Sequence, residues 1–228
     1  MARRTALRSK TGDARASRGE SRRLAVALAE TGRAFYGRGW AMGTSGNFSA
    51  VLRREPLRLL MTSSGLDKRT LEAKHFVELD ARGAVLRGTG KPSAEALVHV
   101  AVARVRAAGA ILHTHSVWST LLSDQYASEA GLAISGYEML KGLAGVITHQ
   151  HSEWLPIFEN SQDMKALAAE VEAVLLRHPA AHGFLLRAHG LYTWGEDIPQ
   201  ARRHVEILEF LMEVVGRTRN GAADLGRK

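Results

Sequence analysis

Three histidines lie at the ends of short apolar segments, where their side chains could hold a metal ion. His113 and His115 belong to the stretch AILHTH, and His189 belongs to LLRAHG, directly before a glycine. Side chains two residues apart on a strand point to the same face, so His113 and His115 would present two imidazoles side by side. Three histidines with an open fourth position form a typical catalytic zinc site. The alternative is that polar residues simply end two strands.

A second pair with the same spacing, His149 and His151 in THQHSEW, competes for this role. The first pair is favoured because AIL predicts a buried strand and SVWSTLLSDQY predicts a following helix that would hold the ligands in place. The chain has no cysteine, which excludes a thiolate metal site and a cysteine nucleophile.

Three segments rich in glycine, hydroxyl or lysine side chains could bind a phosphate. GTSGN and TSSG are turns beside predicted strands, and KPSAE combines a lysine with the start of a predicted helix. None matches the P-loop pattern, so a nucleotide is not indicated, and each could also be an ordinary turn. The candidate phosphate-binding residues are Ser45, Gly46, Asn47, Ser63, Ser64, Gly65, Lys91 and Ser93.

Hydrophobic periodicity changes several times along the chain, which predicts mixed α/β structure. A helix is predicted from residue 24 to the glycines at 37 and 39, and FVELDARGAVL predicts a hairpin. A second helix should begin at Ser93 as a hydroxyl cap and end at Gly109, and strands should flank His189. A final amphipathic helix should start at the cap Asp197.

Positive charge is concentrated at the N-terminus. Eight basic and two acidic residues in the first 23 account for +6 of the net charge of +8. Few large apolar residues occur there, which predicts a disordered basic tail over 1–23, followed by one domain over 24–219 and a frayed end over 220–228. The alternative, a nucleic-acid-binding arm, lacks interleaved aromatic residues, and the acidic residues argue against an organelle transit peptide.

Hydropathy indicates neither a membrane span nor export. No run approaches 18 apolar residues, and the N-terminus lacks the apolar core of a secretory signal. We therefore expect a cytoplasmic protein that does not contact a membrane.

The order and spacing of GTSGN, TSSG, KPSAE, HTH and AHG resemble the class II aldolase and adducin-head family over about residues 24–215. The resemblance implies a three-layer α/β/α sandwich around a largely antiparallel mixed sheet, and one Zn²⁺ per subunit on His113, His115 and His189. It also implies a homotetramer with active sites between subunits, and a small phosphorylated sugar as substrate.

Within the family, HTHS, YEMLKGL, LPIFEN and AHGLYTWG are most similar to sugar-phosphate dehydratases. Family aldolases carry their acid/base at the position of Glu95, whereas the dehydratases carry theirs at the position of Glu138, so both glutamates are candidates. Gly136 and Tyr137 depart from the histidine and glutamine expected before that acid. Glu95 could instead stabilise the first turn of a helix and pair with His99. The alternative functions are a metal-dependent aldolase or 4-epimerase, and a non-enzymatic interaction module.

Overall fold

A nine-stranded mixed sheet forms the middle layer of the molecule. In a computed structural model, the backbone is described for residues 2–225 and the side chains for residues 18–218. The strand order is β4-β3-β2-β1-β5-β9-β8-β7-β6, and every neighbouring pair is antiparallel except β7 and β8. The strands are β1 (Asn47–Arg53), β2 (Arg58–Thr62), β3 (Phe76–Asp80), β4 (Val85–Arg87), β5 (Ala110–Thr114), β6 (Gly131–Ser135), β7 (Ser152–Phe158), β8 (Gly183–Leu186) and β9 (Gly190–Gly195).

Helices cover both faces of the sheet. They are α1 (Ala2–Gly37), α2 (Ala96–Val105), α3 (Val117–Gln125), α4 (Met164–Arg177) and α5 (Ile198–Leu225). Helices α2 and α4 pack on one face, and α1, α3 and α5 pack on the other. The predicted three-layer arrangement around a largely antiparallel sheet is therefore confirmed. None of the helices in the described part of the chain is long and apolar enough to cross a membrane.

Successive side chains of β5 point to opposite faces of the sheet. Ile111 faces the core beneath α2 and α4, whereas Leu112 faces the core beneath α1 and α5. His113 follows Ile111 towards the α2 side, and Thr114 reaches Glu209 of α5 on the opposite side. At the end of β5, His113 and Thr114 therefore lie on opposite faces of the sheet.

Three boundaries differ from the sequence expectations. Residues 2–23, expected to be a disordered tail, continue α1 as helix, because alanine and arginine favour helix and no proline interrupts them. Helix α2 begins at Ala96 rather than Ser93, and it ends near Arg106 before Ala107, which adopts positive φ. Residues 220–225 extend α5, while residues 1 and 226–228 lie outside the described residues.

Candidate metal and phosphate site

The Nε2 atoms of three histidines converge at one end of the sheet. His113 Nε2 lies 2.8 Å from His115 Nε2 and 3.4 Å from His189 Nε2, and the last two are 3.1 Å apart. His113 lies near the end of β5, His115 follows that strand, and His189 occupies the turn between β8 and β9. Antiparallel pairing of β5 with β9 brings the distant residues together.

Backbone geometry at the strand ends fixes these side chains. The His115 N–H donates to Trp40 O at 2.8 Å, which anchors the residue just beyond β5. Ala188 adopts φ +50°, which makes the tight turn that carries His189. A Cβ on Gly190 would collide with the carbonyl oxygen of Thr114, so only glycine allows the two strand ends to approach so closely.

Two histidines of the cluster, His113 and His115, are neutral rings. The Nδ1–H of His113 donates to Leu191 O at 2.9 Å, which leaves Nε2 of that ring unprotonated in the neutral form. Burial, and then the neighbouring His115 and His189, hold the pKa of His113 well below its ordinary value. Burial, and then His189, lower the pKa of His115 to about 4. Neutral imidazoles with converging nitrogens can coordinate a metal ion.

Glu95 is the carboxylate beside this cluster. Its Oε2 lies 3.5 Å from His113 Nε2, and its Oε1 lies 3.4 Å from His189 Nε2. The amide of Asn47 donates to Glu95 Oε2 at 2.6 Å, and the Glu95 N–H donates to Ser93 Oγ at 3.3 Å. The alternative, a pairing of Glu95 with His99, is not formed, because the His99 ring bonds to Asn47 and Ser49 instead.

Most candidate phosphate-binding residues meet in one cavity of about 160 Å³ next to the histidines. A Cβ on Gly46 would lie 2.8 Å from the carbonyl oxygen of His113, so glycine lets this turn approach the histidine cluster. The cavity is lined by Thr44, Ser45, Gly46, Asn47, Ser63, Ser64, Gly65, Lys68, Ser93, Glu95, His115 and His189.

The sequence named Lys91 as a candidate for binding phosphate, but Lys68 is the lysine that lines the cavity. Lys91 is exposed and does not line this cavity, although its carbonyl accepts from the Ser64 N–H at 2.9 Å. Lys68 is 1% exposed, and its Nζ donates to Thr44 O at 3.0 Å and Leu66 O at 2.8 Å. Burial lowers the pKa of Lys68 to about 8. The third N–H of its ammonium has no acceptor among the described residues.

Glu138 lies apart from the cavity within the single chain. It begins a 3₁₀ turn at Glu138–Gly142, its side chain is 72% exposed, and it forms an ion pair with Lys141 and lies 3.8 Å from His149 Nδ1. His151 does not join the three histidines either, because its Nε2 contacts Glu153 at 2.9 Å. Among the candidate acids, the chain itself therefore brings only Glu95 to the histidine cluster in the part that the structure describes.

Comparisons with known proteins show the family of the chain. The family model for the class II aldolase and adducin N-terminal domain matches residues 26–215. Methylthioribulose-1-phosphate dehydratase of Pseudomonas savastanoi pv. phaseolicola is 44% identical over 191 residues, covering 83% of this chain and 92% of that protein. The enzyme of the same name from Methylococcus capsulatus is 43% identical over 194 residues, covering 85% and 93%.

A solved structure shows the same fold. The L-fuculose-1-phosphate aldolase from Thermus thermophilus superposes with a TM-score of 0.70 at 23% identity, covering 89% of this chain and 98% of that one. At this level of identity the likeness concerns the fold alone.

Proposed function

This chain belongs to the class II aldolase and adducin N-terminal domain family, and from that premise we propose that it is a lyase that dehydrates 5-methylthioribulose 1-phosphate. The product would be 5-methylthio-2,3-diketopentyl 1-phosphate, formed in methionine salvage. One observation carries the proposal: the three histidine nitrogens and Glu95 meet beside a cavity of glycine and hydroxyl turns. The choice of substrate rests on the relatives named methylthioribulose-1-phosphate dehydratase, which are 43–44% identical to this chain over 191–194 aligned residues.

We propose Zn²⁺ as the ion on His113, His115 and His189. The fit rests on the donor set, because three imidazoles whose Nε2 atoms lie 2.8–3.4 Å apart suit one small ion with nitrogen ligands. When bound, Zn²⁺ would act as a Lewis acid on the C2 ketone oxygen and so increase the acidity of the C3 proton.

The cavity residues would orient the substrate. The backbone N–H groups and hydroxyls of the GTSGN and TSSG turns, together with the ammonium of Lys68, would receive the phosphate. This arrangement would hold the ketone end of the sugar at the histidines and leave C3 and C4 facing the acid/base groups.

Dehydration needs one group to remove a proton from C3 and one to protonate the departing C4 hydroxyl. The two bonds that break release water overall, and the resulting enol becomes the second ketone when C4 gains a proton. Glu95, held by Asn47, is placed to exchange a proton beside the histidines or to contact the metal. We retain Glu138 as the acid/base that directs the reaction to water loss, a role that requires a neighbouring subunit to bring it to the cavity.

The decisive experiment is to incubate the purified protein with 5-methylthioribulose 1-phosphate and follow diketone formation. Activity should vanish with a chelator and return with Zn²⁺. Unchanged substrate after prolonged incubation with the zinc-loaded protein would rule out the dehydratase.

A metal-dependent aldolase or 4-epimerase acting on another sugar phosphate is the second candidate. It is favoured by the position of Glu95, which coincides with the acid/base of family aldolases and lies beside the histidines here. Assaying carbon–carbon cleavage and water loss on matched sugar phosphates separates the two, because cleavage yields two smaller products and dehydration yields one.

Two glutamine variants test the two acids. We expect Glu138→Gln to keep the metal and lose turnover, and Glu95→Gln to lower turnover as well. Mixing subunits tests the intersubunit role: Glu138→Gln and His115→Ala chains are each inactive alone, but hybrids should regain activity if one active site takes its metal and its acid from different subunits. Near-wild-type dehydration by Glu138→Gln would show that this glutamate is not the acid.

The oligomeric state and location complete the proposal. On the family resemblance we propose a homotetramer that acts in the cytoplasm. Sedimentation of the purified protein, with and without metal, measures the first, and fractionation of the source cells measures the second.

A further inference from the structure

A second cluster of buried polar side chains surrounds Glu153 on β7. Glu153 is 1% exposed, and its carboxylate accepts three N–H groups. They are His151 Nε2 at 2.9 Å, His182 Nδ1 at 2.8 Å and the His182 backbone N–H at 2.7 Å. A buried carboxylate is costly unless it is paired, so the three N–H groups are needed to keep Glu153 buried.

Both ring nitrogens of His182 face acceptors. Nδ1 donates to Glu153, and Nε2 donates to the carbonyl oxygen of Ala144 at 2.8 Å, so the ring needs a proton on each nitrogen to make both bonds. Burial alone lowers the pKa of His182, but hydrogen bonding and charge from Glu153 outweigh it and raise the pKa above its ordinary value. The neighbouring guanidinium of Arg106 opposes this only weakly.

A different histidine holds the other polar group of Ala144. The Ala144 N–H donates to His204 Nε2 at 3.1 Å, and His204 Nδ1 donates to Trp194 O at 2.7 Å. Burial lowers the pKa of His204 to about 4, so this ring is neutral and can accept. Side chains from the start of β8 and from α5 therefore clamp the backbone of one loop residue at its N–H and its C=O.

The clamp sits in the middle of the segment that carries Glu138. Leu140 and Leu143 are buried before it, whereas residues 147–150 after it are exposed. The two side chains beside the Glu138 carboxylate lie on either side of Ala144 in the sequence, Lys141 before it and His149 after it. The position of Ala144 consequently limits where the residues before and after it can lie. It therefore also limits the position of the Glu138 carboxylate, which contacts Lys141 and His149.

We propose that His182 and His204, with Glu153 as the counter-ion of His182, are positioning residues that hold residues 138–149 and so fix the carboxylate of Glu138. The catalytic consequence rests on the proposed dehydratase function, but the mechanical role does not.

Two sets of variants test the clamp in the full-length, metal-loaded protein. His204→Leu removes the acceptor of the Ala144 N–H while leaving the Glu153–His182 pair intact, and His182→Leu with Glu153→Leu removes the other half without leaving a lone buried charge. His204→Gln is the conservative control, because its amide offers one acceptor and one donor.

Hydrogen–deuterium exchange is the readout that does not depend on activity. Peptides spanning 143–151 should exchange about tenfold faster in both leucine variants, while peptides spanning 108–118 keep their wild-type rate. His204→Gln should restore most of the protection. Unchanged exchange in folded leucine variants would overturn the proposal, and His204→Leu carries the test if the double variant does not fold.

Kinetics and metal content separate the remaining possibilities. If Glu138 is the acid, kcat should fall about tenfold with KM changed less than about threefold, and metal content should stay unchanged. Faster exchange with wild-type kcat would support the clamp and contradict the role of Glu138 in the proposed function. Loss of a second bound metal ion from the double variant would overturn the proposal by showing that His151, Glu153 and His182 bind metal.

Discussion

The side-chain amide of Asn47 joins Glu95 to the buried ring of His99. Its nitrogen donates to Glu95 Oε2 at 2.6 Å, and its oxygen accepts from His99 Nε2 at 2.5 Å. His99 Nδ1 in turn accepts from the Ser49 hydroxyl at 2.7 Å. Burial lowers the pKa of His99 to about 4, so the ring stays neutral and its one ring proton lies on Nε2. The direction of the Glu95 carboxylate is thus set from inside the core.

Replacing Asn47 should therefore disturb Glu95 more than it disturbs the fold. We expect Asn47→Ala to lower kcat about tenfold with metal retained, and to cost about 1–3 kcal/mol of stability because the His99 N–H loses its acceptor. Ser49→Ala is the matched control, since it removes the other partner of His99 without touching Glu95. Equal losses of activity in both variants, measured alongside urea unfolding, would show that Asn47 acts only through the core.

Removal of a metal ligand should abolish metal binding and turnover together. His115→Ala leaves two histidines, and we expect its metal content to fall from about one ion per chain to below about 0.1. His178→Ala is the control, because His178 is exposed and packs beside Trp154. Elemental analysis of the purified proteins measures the metal content of both variants. Full metal occupancy in His115→Ala would contradict the assignment of the site.

The strand ends made the histidine cluster predictable from sequence. An apolar run followed by a polar residue marks where a buried strand stops, and histidines lie at the end of β5 and in the β8–β9 turn. The mixed α/β class was also predictable, since alternation, hairpins and capped helices follow from local residue types, whereas the three-layer arrangement followed from the resemblance to the family. The length of α1 was not, because the low apolar content of residues 2–23 argued against burial but not against local helix formation.

Burial of charged groups was the part that the sequence concealed. Lys68 follows an aspartate in a polar turn, and nothing local distinguishes it from Lys91, yet packing against the GTSGN turn buries one and leaves the other exposed. The Asn47–His99 bond depends on the pairing of β1 with β5 and on the rotation of α2, which are tertiary facts. The proposed role of Glu138 was harder still to predict from the sequence, because it depends on a neighbouring subunit.

Exchanging each lysine for methionine tests the phosphate site. Lys68→Met removes the ammonium that lines the cavity, so we expect KM for a phosphorylated substrate to rise about tenfold, while Lys91→Met should change KM less than about threefold. Inorganic phosphate should inhibit the wild type and Lys91→Met competitively and Lys68→Met only weakly. The reverse order of the two lysines would restore the expectation drawn from the KPSAE segment.

Glu209 of α5 should make stability depend on pH. It is 2% exposed, its Oε1 accepts from the Thr114 hydroxyl at 2.8 Å, and its Oε2 has no hydrogen-bond partner among the described residues. Burial raises the pKa of Glu209 to about 7, although the nearby hydroxyls of Ser116 and Thr114 oppose the rise. The folded chain therefore retains a proton on this carboxyl at pH values where the unfolded chain has released it.

The direction in which stability changes with pH follows from that difference in bound protons. Below about pH 4.5 both states are protonated, and between about pH 4.5 and 7 only the folded state is, so the contribution of Glu209 falls as pH rises through this window. The total loss is on the order of 3 kcal/mol. Glu209→Gln should remove this component, so its free energy of unfolding should decline less between those pH values than that of the wild type.

Urea unfolding at a series of pH values, with protein and metal concentrations fixed, measures the effect. Glu213→Gln is the control, because Glu213 lies about one turn further along the same helix, where it pairs with Arg217 near the surface. Its stability should follow the wild-type pH dependence. If the curves of Glu209→Gln and the wild type ran parallel from about pH 4.5 to 8, the carboxyl of Glu209 would have to be ionised in the folded protein throughout that range.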